Sequence, residues 1–429
     1  MPLQQLTRET PVTPGSESAF DYDVAIAGGG IAGTTLAASL KDSGLKVVLI
    51  EALPPSVAAS RNQVYALSLL SGEIFQAVGV WERILPKITP FNQISLSDSG
   101  QEGVRFQPGD LGRETLGYVG EHQVLLSALQ DFLADCANVT WNCPAEVLGV
   151  DYQPDGVVVE VRSRLEENPE TQRIRTRVLI AADGARSRIR EAAGIKTRGW
   201  KYWQSCITVQ VKPEKPHGNI AYERFWPSGP FAILPLTENR CNIVWTAPHE
   251  EAKALAALDE ADFLVELHKR YGEQMGRVQP ISDRRVFSVQ LMQSSRYVQP
   301  RLALIGDAAH CCHPVGGQGQ NLGIRDAAAI AEILSQAHHR GEDIGSVRVL
   351  KRYERWRKLE NLTILGFTDL LDRLFSNQFL PAVLLRHLGL WGLRTLPPVK
   401  QLALRLMTGQ LGRHPETVKA LSVPSSSCL

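Results

Sequence analysis

The chain has 429 residues, and its 46 lysines and arginines nearly balance 45 aspartates and glutamates, giving a formal net charge of +1 at pH 7. A protein held to nucleic acid mainly by bulk positive charge carries a surplus of cations, so this balance argues against that class of partner. With 44% hydrophobic and 21% charged residues, the composition is typical of a folded protein with two or three structural units.

The cysteines and the N-terminal segment indicate a reducing environment. The seven cysteines contain no CxxC pair, which argues against a zinc site, and their odd number argues against a disulfide framework. We therefore predict a cytoplasmic protein without a metal ion. Residues 1–20 lack a basic start followed by an apolar run, so we expect no signal peptide and a disordered lead-in. No apolar stretch approaches the ~18 residues that a transmembrane helix needs.

The first predicted elements form a strand–helix–strand unit. Val24–Ala27 and Val47–Ile50 are short apolar runs, typical of strands buried on both faces. Ile31–Ser43 carries small and apolar residues at helical spacing and stops at Gly44, the usual residue after a helix. The order of these elements predicts a βαβ unit at the start of the folded chain.

A glycine pattern lies where the first strand meets the helix. Gly28, Gly30 and Gly33 form G-x-G-x-x-G, and Glu51 ends the second strand. Such glycines let the backbone approach a pyrophosphate, to which the helix N-terminus offers free N–H groups. The acid can accept hydrogen bonds from ribose hydroxyls and disfavours a 2′-phosphate. Alone the glycines could form a tight turn, but with the acid in register they predict FAD or NAD rather than NADP.

Two later segments repeat the strand–turn–helix pattern. Val178–Ala182 predicts a strand that is followed by Asp183 and Gly184, a dipeptide that on its own is most often only a turn. Leu302–Ile305 predicts another strand, which leads through Asp307 to a glycine-rich loop and a long helix. Three dispersed segments of one type predict a nucleotide-binding domain assembled from separated pieces of chain.

The third segment distinguishes the two dinucleotides. Asp307 can accept a hydrogen bond from a sugar hydroxyl, and a run of glycines follows before a helix that opens near Asn321. Backbone N–H groups of this loop and the positive helix end suit an electron-rich ring edge. A reduced flavin has such an edge and NAD has none, so the segment favours FAD.

The remaining chain predicts a second layer and a helical tail. Residues 200–290 alternate apolar and polar side chains, which favours an antiparallel sheet with one covered face, and residues 151–177 read as a hairpin. From about Tyr353 the chain is predicted to be helical, with a second helix over Val399–Leu411. This apolar, net basic tail could lie in a membrane interface with its cations facing the headgroups, or it could cap the protein's own core.

Together these motifs resemble the single-component FAD aromatic hydroxylases of the para-hydroxybenzoate-hydroxylase type. The resemblance rests on GGGIAG with Glu51, AADGARSRIR around Asp183, and GDAAHCCHPVGGQGQNLGIRDA from Gly306. It is closest to the ubiquinone-biosynthesis hydroxylases, because of the HPVGGQGQNLGIRDA run, the segment GPFAILPL and the apolar tail. It implies an α/β fold with a Rossmann-like FAD-binding domain, an antiparallel-sheet substrate domain and a C-terminal helical region.

The implied domains are discontinuous along the chain. We assign residues 1–20 to a disordered N-terminus and residues 366–429 to C-terminal amphipathic helices. The FAD-binding domain takes 21–85, 115–198 and 285–365, and the substrate domain takes 86–114 and 199–284. No separate nicotinamide domain is visible, as in the family, so NADH and NADPH stay open as reductants.

The resemblance also implies roles for individual residues. Gly28, Gly30 and Gly33 would hold the FAD pyrophosphate and Glu51 the adenosine ribose, with Asp183 near the pyrophosphate. Arg61 and Glu121 would contact FAD, with Gln123 as the rival of Glu121. Asp307 would bind the ribityl chain, and the flavin ring would be lined by Pro314, Gly317, Gly319, Gln320 and Asn321. Cys311, Cys312 and His313 look like a metal or redox cluster, but adjacent side chains diverge, so we interpret the cysteines as packing residues.

The implied activity is hydroxylation of an aromatic ring. In the family, NAD(P)H-reduced flavin reacts with O2 to give a C4a-hydroperoxyflavin, whose distal oxygen is attacked by the ring. The substrate would be a prenylated phenol or quinone precursor of ubiquinone-type or plastoquinone biosynthesis. The alternatives are a flavin-dependent reductase or epoxidase of an isoprenoid, and a non-catalytic FAD-binding scaffold of a quinone-synthesis complex. The sequence names no catalytic acid or base; the substrate candidates are Tyr222, Phe225, Trp226 and Phe231.

Overall fold

The computed structural model describes residues 20–98, 101–165 and 170–421. The predicted disordered lead-in therefore lies, apart from Phe20, outside the described residues. The strands, in chain order, are β1 Tyr22–Ala27, β2 Val47–Ile50, β3 Val64–Leu67, β4 Thr89–Phe91, β5 Gln93–Asp98, β6 Gln101–Phe106, β7 Gly117–Glu121, β8 Val139–Asn142, β9 Ala145–Tyr152, β10 Val157–Ser163, β11 Thr171–Ala181, β12 Thr197–Pro213, β13 Ile220–Trp226, β14 Gly229–Leu236, β15 Arg240–Pro248, β16 Val278–Pro280, β17 Arg285–Ser294, β18 Val298–Gln299, β19 Leu302–Leu304 and β20 His310–Cys311.

The α-helices are α1 Ile31–Ser39, α2 Pro55–Ala59, α3 Leu69–Val78, α4 Trp81–Ile84, α5 His122–Ala134, α6 Arg188–Ala192, α7 His249–Ala257, α8 Glu260–Tyr271, α9 Gln318–His339, α10 Val347–Phe375, α11 Leu380–Thr395, α12 Pro397–Thr408 and α13 Glu416–Leu421. Short 3-10 turns cover Leu85–Lys87, Pro108–Asp110, Thr237–Asn239, Gly306–Ala308 and Val315–Gly317.

An eight-stranded sheet has a parallel centre. Its main path runs β18-β19-β11-β1-β2-β8, and β9 and β10 extend it beside β11. Strands β1, β2, β8, β11 and β19 are parallel to their neighbours, whereas β9, β10 and β18 pair antiparallel. Residues 24–27 of β1 and all of β2 are buried, because a parallel sheet is covered by helices on both faces. The parallel centre brings the ends of β1, β11 and β19 to one edge.

The first βαβ unit is present as predicted, but β1 begins at Tyr22 rather than Val24 and the helix ends earlier than predicted. Strand β2 has the predicted bounds, and α1 begins at the predicted Ile31 but ends at Ser39 rather than Ser43. The last four predicted residues form a turn in which Ser43 Oγ donates to the carbonyl of Leu40 (2.6 Å) and accepts from the N–H of Leu45 (3.2 Å). Serine competes for backbone groups in this way and ends the helix early.

A nine-stranded, mostly antiparallel sheet forms the second layer. Its path is β20-β17-β12-β15-β14-β13-β5-β6, with β16 beside β12. One face packs on α7 and α8 through a core cluster that includes Phe231, Trp245 and Phe263. The predicted antiparallel sheet over residues 200–290 is thereby confirmed, and the α/β fold class with it. The 151–177 hairpin is part of a larger β9-β10-β11 meander, of which residues 166–169 lie outside the described ranges.

A third, three-stranded sheet (β3-β7-β4) and the C-terminal helices complete the structure. Helix α10 buries Leu350, Tyr353 and Ile364, but α11 buries only Gly392. None of the described helices combines the length and the apolar character needed to cross a membrane. The domain boundaries given above stay a prediction.

Candidate functional site

The first glycine turn lies between β1 and α1. The N–H of Gly28 donates to the carbonyl of Ile50 (2.8 Å), and its φ is +112°, a region that favours glycine. A Cβ on Gly33 would lie 1.9 Å from the Gly28 carbonyl oxygen, so only glycine allows this close packing. A Cβ on Gly30 would meet no atom within 4 Å. The turn is therefore closed on the side of the protein and open in front of the helix.

The N-terminus of α1 is available to an anion. Gly30 is its N-cap, no side chain caps the helix, and the first turn contains no acid. The free N–H groups and the helix dipole of such a terminus favour negative charge. The geometry is that of a phosphate-binding turn, as the glycine pattern predicts.

Glu51 is fixed beside this turn. Its Oε2 accepts the N–H of Gly29 (2.7 Å), and its Oε1 accepts the N–H of Leu53 (2.9 Å). A carboxylate oxygen has further acceptor capacity after one backbone hydrogen bond, so both oxygens can still take a hydroxyl. The predicted ribose contact stays a prediction that this placement suits.

The Asp183–Gly184 turn lies directly against the first glycine turn. The N–H of Ala182 donates to the carbonyl of Ala27 (2.8 Å), and a Cβ on Gly28 would come within 2.3 Å of the Ala182 oxygen. Asp183 Oδ2 accepts from Ile189 N–H (3.3 Å), whereas its buried Oδ1 has no partner among the residues that the structure describes. Burial raises the pKa of Asp183, with hydrogen bonds from Ser187 and Ile189 opposing it. This buried oxygen can therefore accept a hydrogen bond from a ligand that binds at the turn.

Asp307 follows β19 and faces the same region. Its carboxylate is exposed to water, yet surrounding protein desolvates it enough to raise its pKa, with the charge of His310 opposing. That combination is typical of a group lining a recess. The pKa of Tyr65 is raised mainly by burial of its hydroxyl and further by the charge of Asp307, whereas the charge of Arg61 lowers this pKa. Asp307, Tyr65 and the exposed Arg61 therefore lie within electrostatic reach of one another.

The third glycine loop connects β20 to α9. Gly316 and Gly317 have φ of +68° and +62°, and Gly317 caps α9 without a side-chain hydrogen bond. Asn321 Oδ1 accepts from Ser68 N–H (2.8 Å), and Asn321 Nδ2 donates to the carbonyls of Ala66 and Gly317 (both 2.8 Å). Its side chain is thus used to hold the loop against β3, which leaves the loop backbone and helix end to meet a ligand.

Other predicted residues of this loop lie around its backbone. Pro314, Gly319 and Gln320 are half-buried, and a Cβ on Gly319 would come within 3.8 Å of Cys312 Sγ. Gln318, which the sequence did not single out, donates from Nε2 to the carbonyls of Gly316 (3.0 Å) and Met407 (3.1 Å). The loop is therefore held from both sides, by β3 and by α12.

Glu121 is engaged by another layer of the protein. Arg240 donates to both of its oxygens (3.1 and 2.9 Å), and Gln210 Nε2 donates to Oε1 (2.9 Å). Burial raises the pKa of Glu121, but these hydrogen bonds outweigh it and lower the pKa. Its rival Gln123 is exposed. A direct contact of either with a cofactor stays a prediction.

The four aromatic substrate candidates lie on two faces of the nine-stranded sheet. Tyr222, Trp226 and Phe231 belong to the cluster that packs on α7 and α8. Phe225 lies on the other face, in contact with Val315 of the glycine loop. Of the four, the geometry favours Phe225 alone as a neighbour of a ligand at the loop.

The Cys311–His313 run holds two protonated thiols and a neutral imidazole at neutral pH. Burial raises the pKa of the Cys312 thiol to about 12 and that of Cys311 further, and burial lowers the pKa of His313 to about 3. Across residues 20–98, 101–165 and 170–421, no three His, Cys, Asp or Glu side chains are grouped as a metal site would require.

The sequence reading missed one acid near the glycine loop. Glu223 lies two residues before Phe225 on β13, and the N–H of Gly316 interacts with its carboxyl group. Strand alternation could have found it, because residues two apart share a face and an acid between the buried Ala221 and Phe225 breaks an apolar row.

The residues fit a dinucleotide that carries a flavin. Two open glycine positions, Gly30 and Gly184, an uncapped helix N-terminus and the orphaned Asp183 Oδ1 converge at one edge of the parallel strands. The second uncapped helix end, at Gly317, lies with Asp307 in the third segment. Together they offer one place for a pyrophosphate and another for an electron-rich ring.

Comparison with known proteins covers almost the whole chain. Residues 21–364 match a family described as FAD binding domain. The chain is 52% identical over 405 residues to the uncharacterized protein slr1300 of Synechocystis, covering 94% of this chain and 97% of that one. It is 36% identical to the ubiquinone hydroxylase UbiL of Rhodospirillum rubrum, covering 95% and 93%. The fold resembles that of p-nitrophenol 4-monooxygenase PnpA of Pseudomonas putida, with a TM-score of 0.75, 19% identity, and coverage of 91% and 98%.

Proposed function

We propose that this chain, which belongs to the family of proteins with this FAD binding domain and is an FAD-dependent monooxygenase, hydroxylates the ring of a prenylated phenol on the way to a quinone. The observation that carries the proposal is the similarity to a ubiquinone hydroxylase along nearly the full length of both chains. The predicted cofactor and enzyme class are confirmed by the family.

The chain's own residues divide the work of binding the cofactor. The N–H groups at the start of α1 and the turn around Gly30 would bind the pyrophosphate, and Glu51 the adenosine ribose. Asp307 would accept a ribityl hydroxyl, and the N-terminus of α9 at Gly317 would face the flavin ring. When bound and reduced by NAD(P)H, FAD activates O2 and supplies one oxygen atom to the substrate.

The protein would also exclude water from the reacting ring. The side of the nine-stranded sheet that faces the glycine loop is closed by Phe225, Val315 and Phe375, and Phe225 and Phe375 stack with ring centroids 3.8 Å apart. A dry site protects an activated oxygen species from side reactions. An aromatic substrate head would be held between this wall and the loop.

Isotope labelling of the product tests the proposal. Purified, FAD-loaded protein is given NADH or NADPH, 18O2 and a prenylated phenol, with the same phenol lacking the prenyl chain as the matched control. We expect substrate-stimulated NAD(P)H oxidation and a product that gains one 18O atom, with the prenylated phenol the better substrate. Turnover without O2 consumption would instead indicate a reductase, and bound flavin that is not reduced would indicate a scaffold.

We further propose that the C-terminal helices contact a lipid surface, because a prenylated substrate resides there. The support is a row of exposed apolar side chains on the outer side of α11, with Leu384, Leu388 and Trp391 between 55 and 61% exposed. Isolated apolar residues are common on surfaces, but a contiguous row on one helix marks an interaction face. A quinone-synthesis complex and a cytoplasmic location stay predictions.

A further inference from the structure

Glu223 is placed at the glycine loop by the alternation of β13. Its strand neighbours two residues away are both buried: Ala221 packs beside Phe91 and Leu404, and Phe225 packs on Val315. The N–H of Gly316 interacts with the Glu223 carboxyl group. The acid therefore lies on the face of the sheet that, under the proposed function, meets the flavin ring and the substrate.

No cation neutralises this acid among the residues the structure describes. Arg224, next to it on β13, points to the opposite face and donates to the carbonyl of Arg270 (2.9 Å). On the adjacent strand β5, Asp98 forms an ion pair with Arg386 of α11 (2.8 Å). The cations closest along the chain and the sheet are thus held elsewhere.

The other ionisable groups near Glu223 are neutral or acidic. Burial is the main cause of the raised pKa of the Cys206 thiol on β12, and the charges of Asp372 and Glu223 raise it further. This thiol is therefore protonated at neutral pH and lies within electrostatic reach of both acids. His313 of the glycine loop is buried, and its Nε2 lies 3.5 Å from Asp372 Oδ1 of α10; its low pKa keeps it neutral.

An acid in these surroundings exchanges protons near neutral pH. Burial without a counter-charge disfavours the carboxylate, and the Gly316 N–H restores part of its stability, which leaves the pKa of Glu223 at about 7. Groups of this kind cluster at catalytic sites, because a general acid or base works best when its pKa is close to the working pH.

We propose that Glu223 is the general base that accepts the proton of the substrate's phenolic hydroxyl. The O–H bond breaks, its electron pair stays on the phenol oxygen, and the proton forms the carboxylic acid of Glu223. The resulting phenolate is a more electron-rich ring for oxygen transfer, for which O2 and NAD(P)H are the oxidant and reductant of the proposed reaction. Oxygen transfer displaces one ring hydrogen, which leaves as a proton, and the second oxygen atom of O2 leaves as water. The proton on Glu223 then returns to the phenolate oxygen of the product, so Glu223 ends as a carboxylate.

Asp372 is the rival base, and its contacts disfavour it. Burial raises its pKa to about 6, but its carboxylate accepts from Ser376 Oγ (3.1 Å) and also interacts with Gln204. Asp372 lies on α10, where its carboxylate is surrounded by the protein side chains of Ser376, His313 and Gln204 rather than open to a substrate. Asp372→Asn is therefore the matched control for Glu223→Gln, since each variant removes one acid and keeps its shape, at a buried position for Asp372 and a half-buried one for Glu223.

The pH dependence of hydroxylation by the FAD-loaded protein tests the assignment. The base must be ionised, so wild-type kcat should rise with pH through about 7 and level off above it. Glu223→Gln should lower kcat by about 100-fold or more and abolish this rise, while FAD reduction continues and O2 ends as H2O2. Glu223→Asp, which keeps a carboxylate, should restore part of the rate. Asp372→Asn should keep the rise.

Infrared difference spectra supply a readout that does not depend on turnover. The FAD-loaded protein should show a protonated carboxyl band that titrates near pH 7 and is missing in Glu223→Gln. A pH profile unchanged in Glu223→Gln, or one lost in Asp372→Asn instead, would overturn the role of Glu223. If the wild type fails to hydroxylate any prenylated phenol while the Glu223 band still titrates, the proposed hydroxylase function and the role of Glu223 as its base are wrong, although Glu223 still titrates near neutral pH.

Discussion

At the scale of single residues, Asp326 is the buried charge on which the third segment depends. Its Oδ1 accepts from Arg357 Nε (2.8 Å) and Asn361 Nδ2 (3.0 Å), and its Oδ2 lies 2.6 Å from His310 Nε2 and accepts from the N–H of Gly306 (3.1 Å). It thereby ties α9 and α10 to the turn that carries Asp307. Burial alone would raise its pKa, but His310 and Arg357 outweigh burial and hold the pKa at about 2.

Asp326→Asn should destabilise the protein by about 3 kcal/mol at pH 7, because it removes the buried carboxylate that Arg357 and His310 share and leaves Arg357, in the described part of the chain, with only its ion pair to the half-buried Glu360. The pKa of Asp326 is lower in the folded than in the unfolded protein, so the stability it contributes is present above about pH 4 and is lost as the pH falls towards 2. Urea unfolding at pH 7 and pH 3 measures both effects. The difference between wild type and variant should shrink at pH 3.

Asp135→Asn is the matched control, because Asp135 is 71% exposed and pairs with Arg83 on the surface. It should change the free energy of unfolding by less than about 1 kcal/mol. Equal losses in the two variants would contradict the structural role of the buried aspartate.

The residue scale also shows where sequence reasoning stops. Their aromatic side chains suggest Tyr222, Phe225, Trp226 and Phe231 as substrate contacts. The structure divides these residues between the two faces of the sheet, and only contacts with Val315, about 90 positions later in the chain, show which face lies toward the glycine loop. Alternation marks Glu223 as an acid in an apolar row, but its position at the glycine loop depends on Gly316, which is distant in the chain.

At the scale of elements, the first glycine turn offers a direct test of the cofactor site. Gly30→Ala adds a methyl group to open space in front of α1, so the fold should keep its stability while the Kd for FAD rises about tenfold or more. Gly33→Ala would place a methyl group 1.9 Å from the Gly28 oxygen and should reduce stability itself. Thermal unfolding of the FAD-free variants and FAD titration by fluorescence quenching separate the two effects.

Gly341→Ala serves as control for the glycine substitutions, because its added Cβ would also meet nothing within 4 Å, although its φ of +66° adds some strain. This variant should leave the Kd for FAD unchanged, since Gly341 follows α9 at the far end from the glycine loop. An unchanged Kd for FAD in Gly30→Ala would show that the pyrophosphate does not bind at this turn.

Elements with a local cause were predictable from the sequence. The βαβ unit follows from short apolar runs and a glycine turn that are contiguous in the chain, and β2 has its predicted bounds. Residues 151–177 predict only a hairpin, because β9, the first strand of the β9-β10-β11 meander, begins before that segment. Pairing between distant strands leaves no such local mark.

At the scale of the whole molecule, long-range pairs connect layers that the sequence presents as separate. Arg240 of β15 joins Glu121 of β7 across 119 positions, and Arg301, after β18, donates to Asp343, before α10 (2.6 Å). Spacing gives no indication of such partners. The division into an FAD-binding part and a substrate part stays a prediction. The nine-stranded sheet joins β5 and β6, from the segment 86–114 that is assigned to the substrate part, with β17 and β20, from the segment 285–365 that is assigned to the FAD-binding part.

The C-terminal helices decide how the molecule would meet a bilayer. From the sequence, the tail could lie in a membrane interface with its cations facing the headgroups or cap the protein's own core. In the structure Arg386 pairs with Asp98 and Lys400 with Asp110 (2.7 Å), so these two cations face the protein. Binding should therefore come from the apolar row on α11 and depend little on salt or on anionic lipid.

Vesicle flotation of the FAD-loaded protein with neutral phosphatidylcholine tests this arrangement. Replacing Leu384, Leu388 and Trp391 together by serine removes three exposed apolar side chains and should release most of the protein without lowering its stability, since α11 buries only Gly392. Val265→Ser, at a 57% exposed position on α8, should leave binding unchanged. Flotation that requires anionic lipid and disappears at high salt would mean that cations, not this apolar row, hold the protein to the membrane.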